Sequence, residues 1–464
     1  MFRAQRSADR LLREPVSELP SPASSAAAQR TGAGLSVPLA FVVLVVLLAK
    51  CLAKTDGNLP YSLDDPFIHL QLARNILHGT YGINLGEWAA PASSLLWPLL
   101  FVPFANTSFV VVLPLLFNFI AMLVSVWWME ELFRQTLPPR AAVSLALAAA
   151  WAFNLFGLVF TGMEHSLQVM LVIILTVHLT GRTVSRGLVC ACILLLPWVR
   201  YESLAISLPA AVYLWKAESS AQGRKWLAAS LLTSLLGLAV FSIVLRAHGL
   251  GWLPSSVLLK QGFMRTGVLV KLVDVFVQLT ENLEKLRVLV VLIAAVALTP
   301  SVRRGAPRLV GLLLASSALL LPLGRVSGRY EIHYVAFAML LIAALVLPVF
   351  RSFTERVRVW PLVIVLLLVQ PELWMQTLRT PIAARCVYEQ HFQMGSIVRD
   401  FLKQPVAVND LGLVSWLGEQ KVLDLWGLGS HQTLVARTSD PSGRWMEASV
   451  REHGVQYVFI YPQW

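Results

Sequence analysis

The chain has 464 residues, of which 56% are hydrophobic and only 14% charged, with a formal net charge of +12. A soluble protein carries roughly a quarter charged residues, so this composition excludes a soluble chain of two or three domains. The basic residues fall in short clusters between apolar runs rather than in one stripe, which excludes a nucleic-acid partner and marks membrane topology. Cys51, Cys190 and Cys192 lie in apolar runs and Cys386 stands alone in a polar tail. No disulfide framework or zinc motif follows from that spacing.

Residues 1–34 are rich in Ala and Ser and carry Arg3, Arg6, Arg10, Arg13 and Arg30. This segment reads as a disordered cytoplasmic tail, because its first apolar run begins too late for a signal peptide. Spans are predicted near 35–53, 108–128, 141–160, 165–180, 187–200, 203–217, 226–245, 287–300, 308–323, 333–350 and 358–372. Together they make about eleven transmembrane helices, with the N-terminus inside. This arrangement puts the clusters Arg134/Arg140, Arg182/Arg186, Lys216/Arg224/Lys225, Arg303/Arg304/Arg308 and Arg351/Arg356/Arg358 on the cytoplasmic side. The apolar stretch Ser93–Ala105 is interrupted by Pro98 and Pro103, so it is expected to be interfacial or re-entrant. The expected fold is therefore a multi-span α-helical membrane protein. Its divisions are a tail over 1–34, a membrane domain over 35–372 with a first outer loop at 54–107, and a small extracytoplasmic α/β domain over 373–464. In that last domain Val406–Asn409, Lys421–Leu425 and Gln456–Tyr461 read as strands, and Tyr388–Leu402 and Leu413–Leu417 as helices.

This topology gathers ionisable residues at the outer ends of the apolar runs, where each is costly unless paired or facing a wet cavity. They are Asp64, Asp65, His69, Glu164, His165, Arg200, Glu202, Lys260, Arg325, Arg329, Tyr330 and His333. Asp64 and Asp65 precede Pro66, a good first helical residue, so either can cap a helix over Pro66–His78. Capping needs only one of them. Adjacent carboxylates repel, which raises one pKa toward the range of a general base. Phe67, Leu70 and Ile76/Leu77 are spaced to lie on the membrane surface. Glu164 and Glu202 can instead fix helix ends by pairing with a nearby Arg. Lys260, Arg325 and Arg329 suit a phosphate, and each can equally be an interfacial anchor. Asp410 and Asp424, at strand ends, can contact an acceptor or form turns.

The ordered motifs resemble a known superfamily. Leu63-Asp-Asp-Pro-Phe-Ile-His-Leu-Gln-Leu-Ala-Arg-Asn75 with Gly79-Thr-Tyr-Gly-Ile-Asn84 looks like the first outer loop of GT-C membrane glycosyltransferases. The likeness continues through Ser93-Ser-Leu-Leu-Trp97, Thr161-Gly-Met-Glu-His165, Arg200-Tyr-Glu202, Leu253-Pro-Ser-Ser with Lys260, Val406-Ala-Val-Asn-Asp-Leu-Gly412 and Asp424-Leu-Trp-Gly-Leu428. It is nearest to the bacterial branch of lipid-linked arabinofuranosyl- and mannosyl-type transferases. That branch has Arg-Pro-Glu and Pro-Asn-Thr where this chain has Arg-Tyr-Glu and Pro-Ser-Ser. The resemblance implies a catalytic carboxylate at Asp64 with Asp65 beside it, and an inverting sugar transfer from a polyprenyl-phosphate donor. The implied acceptor is an extracytoplasmic glycan, lipid or protein, and the implied location is the bacterial plasma membrane. No particular cofactor is implied, and a divalent metal at Asp64/Asp65 is left open. The rival classes are a polyprenyl-lipid flippase and a non-catalytic membrane subunit.

Overall fold

A computed structural model describes residues 34–58, 60–182, 184–261, 268–348, 360–440 and 442–461. The expected N-terminal tail and the Arg351/Arg356/Arg358 cluster lie outside the described residues, as does the side chain of Lys260.

The chain is mostly helical. Helices stand where the apolar runs predict them, since a chain in hydrocarbon must satisfy its backbone internally. Among the described residues, three are long and apolar enough to cross a membrane: Ser36–Lys54, Ser108–Phe133 and Ala221–Ala247. Trp360–Val369 with Pro371–Leu402 qualifies as a fourth if a bend of 81° is allowed within one span. The other apolar helices, such as His165–Leu179, Arg287–Leu298 and Ile332–Val346, are shorter than the ~20 residues a bilayer core asks for. Ala221–Ala247 leaves Leu232, Leu236, Val240 and Ile243 exposed, an apolar face without protein cover. The stretch 93–105 does not continue as one helix. Leu96–Phe101 passes into the 3-10 turn Val102–Phe104 at Pro103, whose missing N–H cannot extend the ladder. An additional helix, Val268–Lys285, lies between the spans predicted at 226–245 and 287–300.

The ionic residues sort to two ends of the bundle. At one end Glu130 accepts from Ser36 N (3.2 Å) and Arg134 Nε (2.7 Å), Arg182 pairs with Glu131, and Arg186 lies 3.4 Å from Glu218. At the other, Tyr61 donates to Val111 O (2.6 Å) and accepts from Leu115 N (3.2 Å), so it sits at the far end of the helix that carries Glu130. Ser62 N donates to Phe160 O and Leu95 N to Trp198 O at this same end. The described clusters around Arg134, Arg182, Arg186 and Arg224 thus share the end opposite Asp64.

The C-terminal unit holds three parallel strands, β1 (Val406–Val408), β2 (Val422–Asp424) and β3 (Tyr457–Phe459), in the order β2-β1-β3. Only part of its core is its own, the cluster of Ala407, Leu423, Leu425 and Val455. Val398, Val406, Val408, Leu411, Val414 and Val422 are buried together with Ile68, Leu72, Ile83 and Ala92 of the loop segment 54–107. Asn84 bridges the two by donating to Val422 O (2.9 Å) and accepting from Val422 N (3.0 Å).

This shared core corrects one expectation. Phe67 and Leu70 do not face lipid. Both are fully buried beside Tyr61, Trp97 and Leu413, and the Phe67 ring lies 5.7 Å from Tyr61 and 6.5 Å from Trp416. The helix Asp65–Ile76 turns its apolar face to protein, because Gly412–Leu417 packs over it.

Candidate active site

Asp64 and Asp65 face different partners. The helix Asp65–Ile76 begins with Asp64 at its N-cap, yet the Asp64 side chain makes no capping bond. Its Oδ1 instead accepts from Leu413 N at 2.6 Å. A Cβ at Gly412 would collide with the Asp64 carbonyl and carboxylate, so only glycine lets the two backbones approach this closely. Burial pushes the Asp64 carboxyl well above its ordinary range and the neighbouring Asp410 charge adds to this, while His391 and Leu413 N act the other way.

Asp65 points elsewhere, to Arg329, whose Nη2 donates to Asp65 Oδ2 at 2.5 Å and lies 3.1 Å from the Tyr330 hydroxyl. Burial works against the Arg329 charge, but Asp65 and Tyr330 outweigh it and hold the guanidinium firmly charged. Asp64 and Asp65 therefore engage different elements of the fold. Their spacing along a helix start directs consecutive side chains apart, and each is claimed by a different element.

Behind this pair lies a buried hub centred on Glu164. Its Oε1 accepts from Ser93 Oγ and Arg200 Nη1, each at 2.7 Å, and its Oε2 is 3.8 Å from His69 Nε2. Burial alone would raise the Glu164 pKa; Arg200 and His69 reverse this and leave it below the ordinary value. Arg200 also pairs with Glu202. Burial would raise Glu202 likewise, and Arg200 and His333 hold it low. Tyr330 stands between two guanidinium carbons, 5.0 Å from Arg200 and 5.1 Å from Arg329, with the His165 ring 5.6 Å away. The loop carrying Glu164 is fixed from outside, by Trp97 Nε1 on Gly162 O (3.2 Å) and Asn118 Nδ2 on Met163 O (2.9 Å). Gly162 has φ +66° and a Cβ there would press on Tyr61 and Pro66, so this position also requires glycine.

These groups border a cavity of about 810 Å³. Asp65, His69, Ser93, Arg325, Arg329, Tyr330, Arg379 and Asp410 line it, while Asp64 stands behind the wall. The Asp65 side chain is 30% exposed, whereas Asp64 as a residue is 5% exposed. Of the residues predicted from sequence, Asp65, His69, Arg325, Arg329 and Tyr330 reach this space. Arg200, Glu202, Ser93, Arg325 and Tyr330 border a smaller neighbouring space of about 40 Å³. Glu164, His165 and His333 are buried supports. Asp424 is a turn former: its carboxylate accepts from Trp426 N (2.7 Å) and Gly429 N (2.5 Å), with burial pushing its pKa up to about 6.

Sequence reasoning missed Arg379 and His391, both on the helical arm that begins at Pro371. It also missed Asn154, which lines the cavity in a left-handed conformation (φ 55°) while its Oδ1 accepts from Thr377 Oγ1 at 2.7 Å. Asn is among the few side chains that visit this region readily, so Asn154 is the one whose identity carries a readable signal.

Residues 378–463 match a family described as a domain of unknown function (DUF8728). No curated protein matches the chain.

Proposed function

We propose that this chain is a multi-pass membrane glycosyltransferase of GT-C type that takes its sugar from a polyprenyl-phosphate carrier. The observation that carries the reading is the meeting of Asp65 with three guanidiniums, Arg325, Arg329 and Arg379, around one cavity at one end of an apolar bundle. Guanidinium forks suit a phosphate, and a cavity beside lipid-facing helices suits a phosphate with a long apolar tail. One Arg329 nitrogen, Nη1, is buried without a hydrogen-bond partner, which leaves a donor for that anion.

In this reading an acceptor hydroxyl loses its proton to Asp65 as its oxygen bonds to the anomeric carbon. The bond from that carbon to the phosphate oxygen breaks, the configuration inverts, and the guanidiniums hold the departing polyprenyl phosphate. The resemblance points to Asp64 as the base, but Asp65 is the member of the pair that meets the cavity. Arg329 holds Asp65 until donor phosphate competes for it, so donor binding frees the base. His69, Glu164, Arg200, Glu202 and Tyr330 shape the wall, with His165 and His333 packed behind them. About eleven spans, a cytoplasmic N-terminus and an extracytoplasmic C-terminal unit in a bacterial plasma membrane complete the reading.

The test is to incubate membranes containing the chain with radiolabelled polyprenyl-phospho-pentoses and -hexoses. Free polyprenyl phosphate and a labelled acceptor are expected from one of them. Intact donor throughout, with folded protein present, overturns the proposal.

A further inference from the structure

The first outer loop and the C-terminal unit meet at a cluster that the transfer reading does not use. The arm from Pro371 continues through the π-helical stretch Tyr388–Phe392 and brings His391 beside Asp410, which follows just after β1. His391 Nε2 and Asp410 Oδ2 are 2.8 Å apart. With a carboxylate oxygen of Asp64 they form a set of three donor atoms lying within 4.8 Å of one another. Asp64 is 5% exposed. Its Oδ1 is taken by Leu413 N, but Oδ2 is buried with no hydrogen-bond partner, and neither has His391 Nδ1 one.

Charge balance makes the same point. Two carboxylates this close and this sheltered require compensation. A divalent cation beside a neutral imidazole offsets both carboxylates, and it gives the unpartnered Asp64 Oδ2 a partner. One imidazole and two carboxylates form a donor set used by first-row divalent ions. Mg²⁺ and Ca²⁺ prefer shells made only of oxygen.

We propose that Asp64, His391 and Asp410 bind a divalent cation, Zn²⁺ or Mn²⁺ by donor chemistry, that ties the C-terminal unit to the first outer loop. The site does not rest on the transfer reading, because the base there is Asp65. It borders the same cavity, however, since Asp410 lines the cavity wall.

The full chain in detergent, stripped with chelator, is dialysed against Zn²⁺ and Mn²⁺ separately, and bound metal is counted by mass spectrometry. Wild type is expected to retain a single equivalent of one of them. His391→Ala and Asp410→Asn should each weaken that affinity by about tenfold or more, while His453→Ala, elsewhere in the same unit, should not. Gel filtration checks that each variant is folded. X-ray absorption of the wild-type complex needs no variant, and is expected to show a nitrogen and oxygen shell. No retained metal, unchanged affinity in both ligand variants, or a sulfur-containing shell would overturn the site whatever the outcome for sugar transfer.

Discussion

Arg329 and Asp65 are 264 positions apart in the chain, yet their side chains meet at 2.5 Å on the wall of one cavity. The pair is partly exposed, so its worth to stability is modest and its interest is chemical. If Asp65 is the base, Asp65→Asn should cost on the order of a hundredfold to ten-thousandfold in transfer rate. Asp64→Asn should cost less, because an Asn oxygen can still accept from Leu413 N. Rates for the two variants in reconstituted vesicles decide between neighbours, and the reverse order returns the base to Asp64.

Donor recognition has its own signature. Arg379→Gln and Arg325→Gln each remove one guanidinium from the cavity wall. Both should raise the KM for polyprenyl-phospho-sugar by about tenfold, the scale of one charge-assisted hydrogen bond, while kcat changes little. An unchanged KM in both would make them topology anchors.

The Glu164 hub is the opposite case, a fully sheltered ion pair. Removing one partner of such a pair costs about 3–5 kcal/mol, because the other charge is left without compensation. Glu164→Gln should therefore lower the thermal midpoint in detergent sharply, and Arg200→Gln, which strips both Glu164 and Glu202 of their partner, should lower it further. An unchanged midpoint in Glu164→Gln would mean that the pair is not what holds the hub.

Gly412→Ala tests the docking of the C-terminal unit. The added methyl meets Asp64 directly, and overpacking of this kind costs about 1–3 kcal/mol. Gly311→Ala, where a Cβ meets nothing within 4 Å, should be neutral or slightly stabilising as a helical substitution. Faster proteolysis across the Leu402–Lys421 region in Gly412→Ala alone is the expected result.

Sidedness is open to a direct check. An alkaline phosphatase fused after Arg379 should be active and one fused after Arg304 inactive. The opposite pattern would place the cavity on the cytoplasmic face.

Hydropathy made most helices legible. Ser36–Lys54 was expected at 35–53, and Arg186–Val199 at 187–200. It could not say what covers an apolar face, and so Phe67 and Leu70 were assigned to lipid when their cover is Leu413 and Trp416, over 340 residues downstream. Val268–Lys285 escaped notice because Lys271, Asp274, Glu281 and Glu284 break its apolar run. Part of the site was readable because Asp65, Glu164, Arg200 and Arg329 are charges at the ends of apolar runs. His391 and Arg379 lie on a polar helix where such residues are ordinary, and only the 81° turn after Val369 aims that helix at the first loop. Pro371 forces the turn by holding Gln370 out of the helical region, at φ −145° and ψ 77°.

The interleaved core of the first loop and the C-terminal strands also sets an order of events during synthesis. Ile68, Leu72 and Ile83 emerge first, and Val406, Val414 and Val422, which bury them, follow far downstream. At ordinary elongation rates the interval is on the order of tens of seconds. Throughout it, Asp64 lacks Leu413 N and the loop has no lid on its apolar face. A chain that stalls before β1 carries the described apolar helices, but its first loop has nothing to close against, so the cavity is assembled only after β1 and β2 are made.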